Sequence, residues 1–194
     1  MTRVLDAAVV LAGGSGRRLG GVDKPSLTKD GRSLLDRCLA AVGPVPTVVV
    51  GPSRILPAHC RQVREDPPGS GPAAAVATAL PLIDDLAGRA VVALLAADLP
   101  GITPTVVARL AGALTGEGDG VVLVDPAGRR QILLGVWRVG ALRTAVQARG
   151  DWTDIALRRL LAPLTVLEVA GGAEESADVD TPADLARWRG ITTP

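Results

Sequence analysis

The stretch VVLAGGSGRRLGGVDKP, residues 9–25, places a glycine-rich loop directly after an apolar run. It contains five glycines, two arginines and one lysine. Glycine adopts backbone conformations that other residues avoid, and it lets a ligand approach the main chain closely. Backbone amides in such loops often bind anions. A loop of this composition behind a strand therefore predicts an anion-binding site.

The composition predicts one globular domain over residues 1–194. This length can bury a substantial core, and 47% of the residues are hydrophobic while 21% are charged. A net charge of +1 gives no bulk electrostatic case for binding nucleic acid or an anionic membrane. No apolar run is long enough for a bilayer span, and Asp6 interrupts the apolar N-terminal stretch. We expect a cytoplasmic protein, with a monomer as the default.

Apolar runs of strand length alternate with amphipathic segments along the chain. The predicted strands are Ala7–Ala12, Thr47–Val50, Gln62–Arg64, Ala90–Ala96, Val121–Val124, Leu133–Trp137 and Thr165–Val169. The predicted helices are Leu34–Val42, Pro72–Leu86, Pro104–Leu114, Gly140–Ala148, Thr153–Leu161 and Pro182–Arg189. The early strands are apolar throughout, as expected when helices cover both faces of a sheet. The stretch VDPAGRRQILLGVW instead predicts a hairpin with an antiparallel strand.

This alternation predicts a three-layer α/β/α Rossmann-like fold with a mostly parallel, mixed sheet. In such sheets ligands bind beyond the carboxyl ends of the strands. The segments that follow the strands here are residues 13–24, 51–52, 65–72, 97–98 and the late DVDTP. We expect these segments to converge on one crevice.

The glycine spacing argues against two common nucleotide loops. The third glycine of a G-x-G-x-x-G fingerprint comes one residue late, at Gly20, and the next strand ends in Gly51-Pro52 without an acidic residue. A P-loop is excluded because Lys24 lies between Asp23 and Pro25. A dinucleotide-dependent dehydrogenase is therefore a weak alternative.

Two charged residues stand out beside this crevice. Lys24 is one of two lysines in a chain with nineteen arginines, and a compact ammonium group suits phosphate oxygens. Arg17 and Arg18 add positive charge, although at least one of them is expected to be solvated. Asp98 ends the apolar run VVALLAADLP, where a carboxylate is well placed to hold Mg²⁺. The structural alternatives are a solvated loop lysine and an aspartate that caps the turn before Pro104.

The chain resembles the molybdenum cofactor guanylyltransferase family of nucleotidyltransferases. LAGGSGRRLGGVDKP is similar to that family's glycine-rich signature, and REDPPGSGPAAAVATAL to its E-D…G-P-L-A-G segment. AADLP resembles the metal-binding D-x-P, GRRQILL the G-R-x-Q/H-P-L stretch, and DVDTPADLARW the C-terminal N-x-N-T-P-E-E-L. The resemblance covers essentially the whole chain.

The resemblance implies a Mg²⁺-dependent transfer of GMP from GTP to the phosphate of molybdopterin, with release of pyrophosphate. It implies nucleotide contacts from Leu11, Ala12, Gly13, Lys24 and Asp66, and metal binding at Asp98. The family's asparagine after the second strand is Gly51 here, so that nucleotide contact must be lost or rerouted. The loop amides of Gly13 and Gly14 are expected at the triphosphate, and Gly71 near the base or ribose. The catalytic roles fall to Lys24, Arg17 and Asp98.

Alternatives from other classes remain open at this point. The acceptor could be a sugar phosphate, phospholactate, or molybdopterin combined with CTP. The chain could also be a nucleotide-binding module without catalysis, which would bind nucleotide and release no pyrophosphate.

The segment DVDTP departs from the family by carrying two carboxylates. Asp178 and Asp180 are separated by one residue, so in extended backbone they point the same way. Carboxylates beside phosphates repel them unless a cation lies between. One of the two is expected to complete the Mg²⁺ site opposite Asp98. The alternative is that Asp180 caps the helix that begins at Pro182.

Overall fold

A computed structural model describes residues 5–14 and 16–190, apart from the side chain of Arg17. Its strands are β1 (Ala7–Leu11), β2 (Thr28–Lys29), β3 (Arg32–Ser33), β4 (Thr47–Val50), β5 (Cys60–Val63), β6 (Val91–Ala96), β7 (Gly120–Val124), β8 (Arg130–Arg138) and β9 (Val166–Ala170). Its helices are α1 (Leu34–Val42), α2 (Pro72–Ala79), α3 (Pro104–Ala113), α4 (Val139–Gln147), α5 (Leu157–Leu161), α6 (Ala173–Ser176) and α7 (Pro182–Arg189).

Seven of these strands form a mixed sheet in the order β5-β4-β1-β6-β8-β7-β9. β8 runs antiparallel to both of its neighbours, β6 and β7, while the other neighbouring pairs are parallel. The predicted mostly parallel, mixed sheet with an antiparallel hairpin strand is confirmed. The chain moves outward from β1 to β4 and β5, then returns to β6 on the other side of β1. Such a reversal leaves a crevice at the carboxyl ends of the central strands.

Helices cover both faces of the sheet. α1 and α3 pack on one face, and α2, α4 and α5 pack on the other. As expected for a sheet covered on both faces, every residue of β4 is buried. Cys38 lies fully buried in α1, and burial raises the pKa of its thiol to about 12. Among the described helices, none has the length and apolar character needed to span a bilayer.

The helix starts follow their predicted capping signals. Ser33 and Asp36 bond each other's backbone N–H groups at the start of α1. Thr103 accepts a hydrogen bond from the Val106 N–H at 3.3 Å before α3. Thr181 forms a capping box with Asp184 before α7.

Three helical segments differ from the prediction. α2 ends at Ala79, and a short 3₁₀ turn over Leu80–Ile83 follows, because Pro81 cannot continue the α-helical hydrogen bonding. The helix predicted from Thr153 begins only at Leu157, since Asp154 has a φ of +56° that interrupts it. The helical turn α6 was not predicted, because four residues are too few for a periodic pattern.

Gly120 should be intolerant of a side chain, because the ring of Trp137, its partner on the neighbouring strand β8, lies against it. A Cβ built on Gly120 would lie 2.1 Å from Cε3 of that fully buried ring. Gly120→Ala should lower the free energy of unfolding by about 1–3 kcal/mol, the usual cost of overpacking a core. Denaturant unfolding measures it. Gly112→Ala is the matched control: Gly112 lies exposed in α3 with no atom near its added Cβ, so it should be neutral or stabilising. Equal effects of the two substitutions would contradict the packing argument.

Candidate active site

A cavity of about 1000 Å³ opens at the carboxyl ends of β1, β4 and β6. It is surrounded by the glycine loop (residues 13–24) and by a second loop, residues 65–72. The end of β6, the start of β8 and the C-terminal arm (residues 177–181) complete its wall. The residues that line it include Leu11, Gly13, Gly14, Arg18, Lys24, Glu65, Gly71, Asp98, Arg130, Gln131, Asp178 and Asp180. The expected convergence of segments that follow the strands is confirmed for all of them except residues 51–52.

Lys24 places its ammonium group between two carboxylates in this cavity. The residue begins a short 3₁₀ turn, Lys24–Ser26, that the buried ring of Pro25 anchors. Its Nζ lies 3.5 Å from Asp98 Oδ2 and contacts Asp180 Oδ1 directly. Burial lowers the pKa of Lys24, but the charges of Asp180 and Asp98 outweigh this effect and raise the pKa overall. The ammonium therefore stays charged, and Lys24 is not a solvated loop lysine.

Asp98 lies two residues after the end of β6 and is largely buried. Burial raises the pKa of its carboxyl group, Lys24 opposes this shift, and Asp178 and Asp180 add to it. The backbone carbonyl of Asp98 accepts a hydrogen bond from the Val179 N–H at 3.2 Å. Thr103, and not Asp98, caps α3. The capping alternative for Asp98 is therefore not what the structure shows.

The C-terminal arm is held against the end of the glycine loop by apolar packing. Val179 is fully buried in a small cluster with Leu19, Leu27 and Leu34. This anchor leaves the neighbouring Asp178 and Asp180 facing the cavity, as expected for residues two apart in extended backbone. Asp180 also accepts a hydrogen bond from Arg18 Nη1 at 3.2 Å. Because Thr181 caps α7, the alternative that Asp180 is the cap is wrong.

Two positions must be glycine for the backbone of the glycine loop to follow its observed path. Gly16 has a φ of +52°, and a Cβ there would lie 2.2 Å from the Val22 carbonyl oxygen. Gly51 has a φ of +153°, and its Cβ would lie 2.8 Å from the Ala12 carbonyl oxygen. Gly51 therefore packs against the backbone of Ala12 and does not line the cavity. Ala12 is buried behind the loop as well.

Residues 65–72 form the opposite wall of the cavity. Glu65 faces the cavity, and its Oε1 accepts a hydrogen bond from the Gly69 N–H at 3.0 Å. Gly71 has a φ of +91° and lies at the start of α2, where it also lines the cavity. Asp66 is exposed and does not line it. In this part of the chain the structure therefore presents Glu65, and not Asp66, to a ligand.

The structure brings together most of the residues predicted for the site. Those that line the cavity are Leu11, Gly13, Gly14, Lys24, Gly71, Asp98, Asp178 and Asp180. Ala12, Gly51 and Asp66 lie outside the lining, and the Arg17 side chain is outside the described residues. Sequence reasoning assigned no role to Glu65 or Arg130. The available signal was that Glu65 directly follows the predicted strand Gln62–Arg64.

The acidic residues of the cavity suit a magnesium ion better than a softer metal. Among the described residues, no three His, Cys, Asp or Glu side chains are close enough to hold a metal on their own. Mg²⁺ commonly takes only one or two protein carboxylates and completes its shell with water and substrate phosphates. Asp98 and Asp180 supply such oxygen donors, and the Lys24 ammonium pairs with both of them. The residues therefore fit the ion.

Comparison with known proteins identifies the family. Residues 8–169 match the MobA-like NTP transferase domain. A protein of Cereibacter sphaeroides named molybdenum cofactor guanylyltransferase is 32% identical over 193 residues, covering 92% of this chain and 93% of that protein. One of the same name from Bradyrhizobium sp. (strain ORS 278) is 31% identical over 139 residues. That match covers 68% of this chain and 65% of the relative, slightly less than two thirds of its length.

Solved structures share the fold at lower identity. The molybdopterin-guanine dinucleotide biosynthesis protein A of Archaeoglobus fulgidus superposes with a TM-score of 0.69 at 22% identity, covering 95% of this chain and 97% of that one. The 2-C-methyl-D-erythritol 4-phosphate cytidylyltransferase of Francisella tularensis gives 0.71 at 16% identity, covering 95% and 99%. The fold and the family resemblance predicted from the sequence are both confirmed. This chain belongs to the MobA-like NTP transferase domain family, whose members are nucleotidyltransferases.

Proposed function

We propose that this enzyme transfers GMP from GTP to the terminal phosphate of molybdopterin. The observation that carries the proposal is the charged Lys24 ammonium, held at the cavity wall between the glycine loop and the carboxylates of Asp98 and Asp180. The relatives named as molybdenum cofactor guanylyltransferases support the choice of nucleotide and acceptor. The proposal includes Mg²⁺ as the metal and the cytoplasm as the compartment.

The reaction needs no protein nucleophile, because the acceptor phosphate is already an anion. One of its oxygens forms a bond to the α-phosphorus of GTP, the bond from that phosphorus to the bridging oxygen breaks, and pyrophosphate leaves. Catalysis then depends on alignment of the two phosphates and on neutralisation of their charge. The cavity contains groups for both tasks, since glycine-loop backbone and cationic side chains share its wall.

The residues divide these tasks by position. The backbone of Gly13 and Gly14 and the Lys24 ammonium would hold the triphosphate, and Gly71 allows the base or ribose to approach the start of α2. Arg18, which lines the cavity, would supply further positive charge near the phosphates, and the sequence alone suggests the same role for Arg17. On the other side, the start of β8 brings Arg130 and Gln131 to the cavity, where they are available to the acceptor.

Asp98 would hold Mg²⁺, together with Asp180 or Asp178. The ion, when bound, neutralises charge that develops on the α-phosphate. Because Lys24 now contacts both Asp98 and Asp180, these two carboxylates can share one cation between them. Burial, and then the charge of Asp180, raise the pKa of Asp178, so a nearby cation would also relieve repulsion there.

Asp180→Asn should raise the magnesium concentration needed for half-maximal turnover by about 10-fold, the lower end of the effect of altering a metal's surroundings. Asp178→Asn should raise it less, because Asp178 does not contact the Lys24 ammonium. Magnesium titrations of pyrophosphate release measure both. Asp184→Asn is the control, since it lies in the α7 capping box and should leave the magnesium dependence unchanged. If neither arm aspartate changes it, the arm has a structural role only.

A pyrophosphate-release assay of four nucleoside triphosphates against several acceptors tests the proposed function. The acceptors are molybdopterin, a sugar phosphate and phospholactate. GTP with molybdopterin should release pyrophosphate faster than any other pair, and Lys24→Ala gives the background. Fastest release with CTP, or with another acceptor, would replace the proposed substrates. Nucleotide binding without release in any pair would identify a binding module instead.

A further inference from the structure

The Arg54 side chain makes four hydrogen bonds beneath the glycine loop. Only 12% of its side chain is exposed, although it carries a full positive charge. Its Nη1 and Nη2 atoms donate to the two carboxylate oxygens of Asp23, each at 2.6 Å. The same groups donate to Ser26 Oγ at 2.9 Å and to the Ala12 carbonyl oxygen at 3.2 Å. A planar guanidinium matches a carboxylate in this paired geometry, which a lysine ammonium cannot reproduce.

These contacts join both ends of the loop that presents Lys24. Ala12 precedes the glycines, while Asp23 comes directly before the Lys24–Ser26 turn and Ser26 ends it. Arg54 therefore binds the loop where it leaves β1 and again where it reaches Lys24. The intervening glycines have little conformational preference of their own. External contacts must hold such a loop in one conformation, and the Arg54 side chain supplies four of them.

Arg54 is itself fixed by the neighbouring strand. Its backbone N–H donates to Gln62 Oε1 at 2.9 Å, and Gln62 Nε2 donates to the carbonyl oxygens of Gly51 and Pro52. Gln62 lies in β5, within the sheet. The position of the guanidinium is thus transmitted from the rigid sheet through residues 51–54 to the loop.

The contact also neutralises a carboxylate next to the phosphate site. The hydrogen bond from Arg54 holds the pKa of Asp23 below its ordinary value, so Asp23 is ionised. An unpaired Asp23 would repel phosphate oxygens and would compete for the adjacent Lys24 ammonium. Pairing with Arg54 leaves the Lys24 ammonium to Asp98 and Asp180, on the cavity side.

We propose that Arg54 is a positioning residue for nucleotidyl transfer. It clamps Ala12 and Asp23, fixes the glycine loop and holds the Lys24 ammonium in the cavity. This inference rests on the proposed role of Lys24 as a phosphate ligand. It assigns a function in the reaction to a side chain that does not line the cavity.

The test compares Arg54→Met, Arg54→Lys, Asp23→Asn and the double variant Arg54→Met/Asp23→Asn. Two readouts are measured: the Kd of GTP alone and the kcat/KM of pyrophosphate release. Arg54→Met should lower kcat/KM by about 10- to 100-fold, because a small displacement of a positioned group has effects of this size. Arg54→Lys should recover less than half of the lost kcat/KM when the change is expressed on a logarithmic scale. The double variant should be several-fold more active than Arg54→Met, because it lacks the unpaired carboxylate.

Arg61→Met is the matched control, since Arg61 lies on β5 and its guanidinium donates to the Leu82 carbonyl oxygen, away from the cavity. It should retain wild-type kinetics. Full activity of Arg54→Lys, or a double variant no better than Arg54→Met, would overturn the clamp. If Arg54→Met does not fold, Arg54→Lys decides the same question. A wild-type protein that binds no nucleotide would instead refute the proposed function and is seen in the first measurement.

Discussion

Replacing Lys24 by alanine should lower turnover by about 10²-fold or more, the scale for losing one preorganised electrostatic donor. The substitution removes the ammonium that lies between Asp98 and Asp180, and leaves these carboxylates facing the triphosphate without it. Repulsion should therefore add to the loss of the donor. Steady-state pyrophosphate release at saturating nucleotide measures the change in kcat, and nucleotide titration measures the change in KM.

Lys29→Ala is the control for Lys24. The sequence TKDGRS predicts a solvated turn at Lys29, which is wrong in one respect: its Nζ donates to the Trp188 carbonyl oxygen at 2.5 Å. The loss of this contact should affect the packing of α7 and leave turnover within about 2-fold, because Lys29 lies outside the cavity lining. Equal activity of wild type and Lys24→Ala would remove the central argument for the site.

Asp98→Asn should lower turnover by about 10²-fold and raise the magnesium requirement. The substitution keeps the size of the side chain and removes the charge that would bind the ion. The fold should survive, because Thr103 caps α3 and the hydrogen bond from Val179 goes to the backbone of residue 98. Turnover across a magnesium titration measures the activity, and Mn²⁺ binding followed by electron paramagnetic resonance measures the site directly.

Asp30→Asn is the matched control for Asp98→Asn. Asp30 is exposed in the turn between β2 and β3, and its φ of +54° is one that asparagine tolerates well. It should leave turnover and metal binding unchanged. If Asp98→Asn unfolds while Asp30→Asn does not, Asp98 is structural. If a folded Asp98→Asn variant binds metal as tightly as the wild type does, Asp98 is not a metal ligand.

The strands of the large sheet, and the edge at which the cavity lies, were predictable from local sequence patterns. Strands such as Ala7–Leu11 and Val91–Ala96 are short apolar runs, and burial on both faces of a sheet imposes that pattern locally. Helix starts at Ser33 and Thr181 follow from caps that bond backbone three residues away. Because carboxyl ends of parallel strands meet at one edge, the residues after the strands could be expected to converge.

Which side chains meet in that crevice was not predictable from local patterns, because it depends on how distant segments pack. Asp180 contacts Lys24 across 156 positions of sequence, and Arg54 contacts Asp23 across 31. Neither pairing leaves a periodic signal, because each depends on strand order and on the path of two loops. The structure also turns Glu65, and not Asp66, towards the cavity. Local patterns record how each segment buries its apolar surface and satisfies its backbone, whereas contacts between distant polar side chains exist only once the sheet has assembled.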